Sequence, residues 1–287
     1  MKGQGIVDLH CHTKASDNTY TVREVLSAAH TAGIRYLAVT DHDTTAGVPE
    51  AMLWGERLGV EVIPGIEISA YDFARRRRAH ILGYYVQPEH PALARLCRPI
   101  LERRTQATRQ SVEQLVAAGY RISWEQVGRI AAGGTAVYKQ HIMAALMESG
   151  HCQELFGDLY RSLFARGGNG EAPGTAFVPM QYVDAADAIR AIREAGGVPV
   201  LAHPGQLGNY EAIGEWVQAG LEGIEVYHPD HDREEEQKAR GYAEQYGLAM
   251  TGGSDFHGGY GRSALGSVDS GFLNLLALKA RLWPGLV

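Results

Sequence analysis

One feature constrains the fold of this chain more than any other. Short apolar runs recur along it, each carrying a histidine or carboxylate at or near its C-terminal end. Residues 6–9 lead into His10-Cys11-His12, and residues 36–40 into Asp41-His42-Asp43. Residues 60–68 end at Glu67, 79–86 carry His80, and 198–202 deliver His203. Residues 223–227 carry Glu225 and lead to His228, and 248–253 lead to Asp255 and His257. Each run is rich in β-branched and apolar residues and reads as a buried strand. Side chains alternate along a strand, so His10 and His12 share a face while Cys11 points away as a small buried residue. In a parallel barrel all these polar groups converge on one mouth, where barrel active sites lie.

The segments between the strands read as helices. Thr21 is an N-cap with Glu24 three residues on, and Val22, Val25, Leu26 and Ala29 form one face that stops at Gly33. Residues 50–58 repeat the plan and stop at Gly59, as do residues 184–195 before Gly196-Gly197. Strand, helix, glycine, strand is the grammar of a parallel α/β fold. That grammar lapses between His90 and about Val178. There, 91–119 reads as a long helix interrupted by Pro99, followed by helices over 123–130, 137–149 and 153–164. The reading is a discontinuous barrel domain, 1–90 with 178–287, and a helical insertion, 91–177, over the barrel mouth as a lid or substrate shelf.

At 287 residues the chain is long enough for one barrel without a second core domain. A net charge of -6 gives no general attraction to nucleic acid, so stable duplex binding is not expected. No run reaches the length of a membrane span, and Met1-Lys2-Gly3-Gln4 enters the first strand without a signal peptide, so a cytoplasmic location is expected. Three scattered cysteines, Cys11, Cys97 and Cys152, form no disulfide framework, which fits a reducing compartment.

The ordered motifs DLHCHT at residue 8, TDHDT at 40, PGIEIS at 64, AHILGYY at 79, LAHPG at 201, GIEVYH at 223 and GGSDFHG at 252 resemble the PHP (polymerase and histidinol phosphatase) superfamily of metal-dependent phosphoesterases. The resemblance implies a distorted (β/α)7 barrel holding two or three divalent metals. One metal would take His10, His12, Glu67 and Asp255, a second would share Glu67 and add His80 and His203, and a third would take Asp17, His42 and His257. Imidazole and carboxylate without thiolate suit manganese, zinc or iron. All nine positions are filled, whereas a degenerate scaffold copy would have lost some. Amidohydrolases also place HxH on their first strand, but they typically bridge their metals with a carboxylated lysine, and here Glu67 takes the bridging place.

The implied chemistry is attack of a metal-bound hydroxide on phosphorus, with the alcohol leaving in line. Asp17, His42, Glu67 and His257 are therefore candidate catalytic residues as well as ligands, and Asp17 or His257 is a candidate proton donor. Arg104, Lys139 and His141 fall where PHP nucleotide phosphatases carry phosphate-binding basic residues, and His228 and His231 lie just beyond the Glu225 strand. The run Arg75-Arg76-Arg77-Arg78 reads as an exposed turn, or else as an electrostatic guide for an extended anion.

Within the superfamily the chain resembles the bacterial group that releases the 3'-phosphate of nucleoside 3',5'-bisphosphates or trims short RNA from its 5' end. It departs from that group at Gln206 and at Gly174-Thr175-Ala176, where a basic residue is often found. The expected partner is a small phosphorylated substrate, a nucleotide or short oligonucleotide, without membrane association. Histidinol-phosphate phosphatase is the alternative enzyme, and a nucleotide-binding regulator with structural metals is the alternative outside catalysis.

Overall fold

The computed structural model describes residues 5–168 and 170–282. In chain order its elements are β1 (Ile6–Asp8), α1 (Val22–Thr31), β2 (Ile34–Val39), α2 (Val48–Leu58), β3 (Glu61–Asp72), β4 (Arg77–Tyr84), α3 (Pro91–Ala117), α4 (Trp124–Ile130), α5 (Lys139–Glu148), α6 (Asp158–Leu163), β5 (Val183–Asp184), α7 (Ala185–Glu194), β6 (Val198–Leu201), α8 (Pro204–Leu207), α9 (Ile213–Gln218), β7 (Gly223–Tyr227), α10 (Arg233–Tyr246), β8 (Ala249–Gly252) and α11 (Phe272–Ala280). Local chemistry accounts for several boundaries. Thr21 and Glu24 form the expected capping box at the start of α1, and Asp184 caps α7 by accepting the Ala186 N–H. Gly59 ends α2 in the left-handed conformation that glycine tolerates best.

Seven strands pair in the order β1-β2-β3-β4-β6-β7-β8, and β5 pairs with β3 off this path. The chain just past β1 closes the ring against the end of β8. The Leu9 N–H donates to the Gly252 carbonyl at 3.1 Å, the Asp255 N–H to His10 at 2.9 Å, and the His12 N–H to Phe256 at 3.1 Å. This is the expected (β/α)7 barrel, distorted by one strand. The sequence grammar predicts parallel strands throughout, yet β4 runs antiparallel to both β3 and β6. The reason is the length of its connection. Four residues separate β3 from β4, enough for a hairpin but far too few for a helical crossover. Reversal sends the N-terminal half of β4 toward the mouth, so His80 reaches the site from inside the strand, opposite Ser69.

The chain divides into two compact units. One holds the chain up to Arg98 and from Tyr182 onward; the other is Pro99–Gln181. In the first unit Val7, Leu9, Ala38, Ile63, Leu82, Tyr84 and Val200 pack together with Leu275 and Leu278 of α11. A second cluster joins Val25, Leu26 and Ala29 of α1 to Leu37, Val39 and Ala51. Cys11 lies in that cluster, turned away from the histidines. The unit Pro99–Gln181 has its own core, with Val112, Leu115, Ile142, Met143, Leu146 and Leu163 buried together. The predicted interruption at Pro99 is absent, since α3 continues through it. A proline removes one backbone donor, and flanking turns can carry a helix past it with a bend. The helix predicted over 153–164 is shorter, confined to α6.

Candidate metal centre

Backbone geometry presents His10 and His12 just beyond β1. Asp8, fully buried, accepts the Ser254 N–H at 2.8 Å and the Gly266 N–H at 2.9 Å, fixing the chain on either side of Asp255 against β1. Gly253 must be glycine for this approach, because a Cβ there would run into the backbone nitrogen of His10. Asp41 does similar work on the loop after His12, accepting from the Thr13 N–H and from the Thr13 and Ser16 hydroxyls at 2.6–2.7 Å.

Three groups of side chains meet at the mouth. In the first, His10 Nε2 lies 3.4 Å from Glu67 Oε2 and 3.3 Å from Asp255 Oδ1, and His12 Nε2 lies 3.3 and 3.1 Å from the same two oxygens. The two Nε2 atoms are 3.3 Å apart. A tetrahedron of ligands about 2.0–2.1 Å from a central ion has edges of about 3.3–3.4 Å, and these five separations are close to such edges. In the second group, the other oxygen of Glu67, Oε1, lies 2.9 Å from His80 Nδ1 and 3.0 Å from His203 Nε2. His42 Nδ1 is 3.1 Å from Glu67 Oε2, and His42, Glu67 and His80 form a compact cluster. In the third, His12, Asp17, His42 and His257 offer ligand atoms that all lie within 4.8 Å of one another. The structure thus brings together all nine residues singled out from the sequence as metal ligands, with Glu67 between the first two groups.

These groups are almost entirely buried, and their charges reshape one another. Burial disfavours charge on every member. At His10, Glu225, Asp255 and Glu67 outweigh that burial and raise the imidazole well above its ordinary range. Burial is likewise overcome at His12, which Asp255 and Glu67 push up to about 10. Burial prevails at His42, pushed down to about 3 despite Glu67 and Asp17. Burial would also raise the carboxylates, but neighbouring histidines hold Glu67, Asp17 and Asp255 below the usual carboxylate range. A dense set of buried carboxylates and imidazoles is a donor set suited to divalent cations.

The remaining candidates have other surroundings. His228 accepts the Asp230 N–H on Nδ1, which leaves Nε2–H facing Asp255 Oδ2 at 3.4 Å. Both ring nitrogens of His231 are engaged by the fold: Nδ1–H donates to the Val226 carbonyl at 2.8 Å, and Nε2 accepts the Gly205 N–H at 3.1 Å. This ties α8 to the end of β7 and leaves His231 no ring nitrogen for a phosphate. Arg104, Lys139 and His141 lie in the unit Pro99–Gln181. There Arg104 stacks on the Tyr138 ring at 4.7 Å, Lys139 lies over Phe164 at 4.9 Å, and buried His141 accepts the Tyr138 N–H at 3.0 Å.

The arginine run departs from a freely exposed turn. Arg75 pairs with Asp72 and Glu215, and Arg77 donates to the Gly208 carbonyl and approaches Glu211, so acidic and carbonyl groups occupy two of the four guanidiniums. Glu225 is the residue whose place the sequence pattern foreshadowed without its role. Read as one more strand-borne ligand, it faces the Nδ1 of His10 instead.

A model of the PHP domain matches residues 8–195. The chain is 46% identical over 90% of its length to the phosphoribosyl 1,2-cyclic phosphate 1,2-diphosphodiesterase of Eggerthella lenta, 96% of which is covered. It is 32% identical to the 3',5'-nucleoside bisphosphate phosphatase of Chromobacterium violaceum, with 88% of this chain and 87% of the relative covered. Among solved structures, a Bifidobacterium adolescentis protein assigned to the metal-dependent phosphoesterases superposes with a TM-score of 0.86 at 28% identity, covering 96% of this chain and 95% of the other. A Chromobacterium violaceum structure described as an amidohydrolase, with bound sulfate and no metal, gives a TM-score of 0.82 at 30% identity and covers 96% of each chain. Fold and site together define a hydrolase of the metal-dependent phosphoesterase class. The chain belongs to the PHP family. Among the described residues, no helix is long and apolar enough to cross a membrane.

Proposed function

We propose that this enzyme opens a five-membered cyclic phosphodiester on a phosphorylated ribose, as in a 5-phosphoribosyl 1,2-cyclic phosphate. The observation that carries this reading is the 46% identity to the Eggerthella lenta diphosphodiesterase across nearly the whole of both chains. The complete set of clustered side chains supports it, since a relative that had abandoned catalysis would have no reason to keep them.

In this reading His10, His12, Glu67 and Asp255 hold one divalent ion, and Glu67, His80 and His203 hold a second. Asp17, His42 and His257 offer a third position. Manganese, zinc and iron all suit these donors. Such ions supply an activated water and positive charge opposite the phosphoryl oxygens. The protein's own contribution is positional. Glu67 presents one oxygen to each of two ligand groups, and His228 steadies the outer oxygen of Asp255. His257 donates its Nδ1–H to the Asp255 carbonyl at 2.8 Å, which leaves its Nε2 facing Asp17.

The second reading is removal of the 3'-phosphate from nucleoside 3',5'-bisphosphates, extending to short RNA. It is favoured by the 32% identity to the Chromobacterium violaceum bisphosphate phosphatase and is the one the sequence motifs suggest. Both substrates present a ribose with phosphorus at two positions. The test is kcat/KM for manganese-loaded protein on the cyclic phosphate, adenosine 3',5'-bisphosphate and histidinol phosphate, followed by phosphorus NMR. At least a tenfold preference for the cyclic diester is expected. Preference for the bisphosphate would establish the second reading, and preference for histidinol phosphate would overturn both.

A further inference from the structure

Glu225 is fully buried on β7, and its carboxylate touches two of the three ligand groups without joining either. Oε1 lies 3.0 Å from His10 Nδ1, and Oε2 accepts the backbone N–H of His203 at 2.8 Å. An ionised carboxylate only accepts hydrogen bonds. Opposite it, His10 carries a proton on Nδ1, so the nitrogen that gives up its proton to a cation is Nε2, which faces Glu67 and Asp255. His203 has φ 24°, a left-handed backbone that a side-chain-bearing residue rarely adopts. Its amide is held there by the other oxygen of the same carboxylate.

We infer that Glu225 is a positioning residue for two metal positions at once, and not a metal ligand. It fixes the ring tautomer of His10 for the first position and the strand-end backbone of His203 for the second. Its proximity to His10 and His228 makes it resemble a ligand, but both of its oxygens already face nitrogen donors. The inference rests on the ligand groups described above and is independent of which phosphoester is the substrate.

Glu225→Gln tests it, because the amide keeps the shape but has one acceptor oxygen for two donors. Manganese dissociation constants measured by chelator competition should rise about 10- to 100-fold. Saturating manganese should restore kcat with KM unchanged. The cobalt-loaded variant should keep the visible band positions of the native protein, since the ligands are the same. A cobalt spectrum altered at saturation would make Glu225 a ligand and overturn the inference, as would manganese affinity equal to the native value. The second measurement needs no variant. In zinc-loaded native protein labelled with 15N-histidine, a slowly exchanging Nδ1–H beside those of His231 and His257 should disappear in His10→Ala, and its absence from the native spectrum would overturn the tautomer assignment. Failure of the native protein to bind any divalent ion would instead overturn the ligand groups themselves.

Discussion

At the scale of single residues the site depends on where two oxygens of one carboxylate point. Glu67 Oε2 faces His10, His12 and His42, and Oε1 faces His80 and His203. Glu67→Gln should therefore lower metal content at both positions and reduce kcat/KM by at least about 10³-fold, a loss of roughly 4 kcal/mol in transition-state stabilisation. Metal analysis with steady-state kinetics checks this, and loss of a single metal equivalent would refute the shared role. The histidines also make a pH prediction for chelator-stripped protein. His12 is raised from 6.5 to about 10, so its stabilisation is complete below pH 6.5 and fades as pH rises toward 10. His42 is lowered from 6.5 to about 3, so the unfolded chain takes up its proton first and stability falls as pH drops below 6.5. The Tm of stripped protein should peak near pH 6.5 and decline on both sides. Metal must displace the protons held at His10 and His12, so the stabilisation conferred by added manganese should grow from pH 6 to 8. Calorimetry from pH 5 to 9 decides the matter, and a Tm of stripped protein that keeps rising to pH 9 would contradict it.

At the scale of elements, some features were legible in the sequence and others were not. Strand ends were legible because apolar runs with terminal ligands report both burial and direction. The caps at Thr21 and Gly59 were legible because their chemistry is local. The reversal of β4 was foreshadowed only by the short stretch between the predicted strands 60–68 and 79–86, and the four-residue hairpin emerges because β3 runs on to Asp72 and β4 begins at Arg77. The contacts of Glu225, His228 and His231 were not legible, since each is made across strands or to a backbone group whose position only the closed ring defines. The same distinction sorts two substitutions. Thr21→Ala should cost about 1 kcal/mol of stability by chemical denaturation and leave kcat/KM unchanged, because the capping box acts within α1 alone. Gly253→Ala should cost about 1–3 kcal/mol and lower metal affinity as well, because the added methyl displaces the backbone that presents His10. An alanine at 253 with native metal affinity would show that the approach of the two chains is not what sets the ligand.

At the scale of the whole molecule, the acidic balance and the pairing within the arginine run bear on substrate size. With Arg75 and Arg77 engaged by Asp72, Glu211, Glu215 and Gly208, half of the run is already paired and less of it is left to steer a long polyanion. Replacing Arg75 to Arg78 by alanine should change KM for a pentanucleotide and for a mononucleotide by the same factor, within about twofold. A selective rise for the pentanucleotide would restore the guide role. Each unit has a core of its own, so loosening the packing of Leu115 or Leu146 should reach the helices before it reaches the barrel. The sharing of Glu67 by two ligand groups also has a meaning over evolutionary time. A descendant could relinquish the Asp17 group and keep a paired centre, but it could not pass gradually from two shared ions to one through position 67. Lineages that retain this barrel as a mere scaffold should accordingly be recognisable from that single column of their sequences, before any other ligand has drifted.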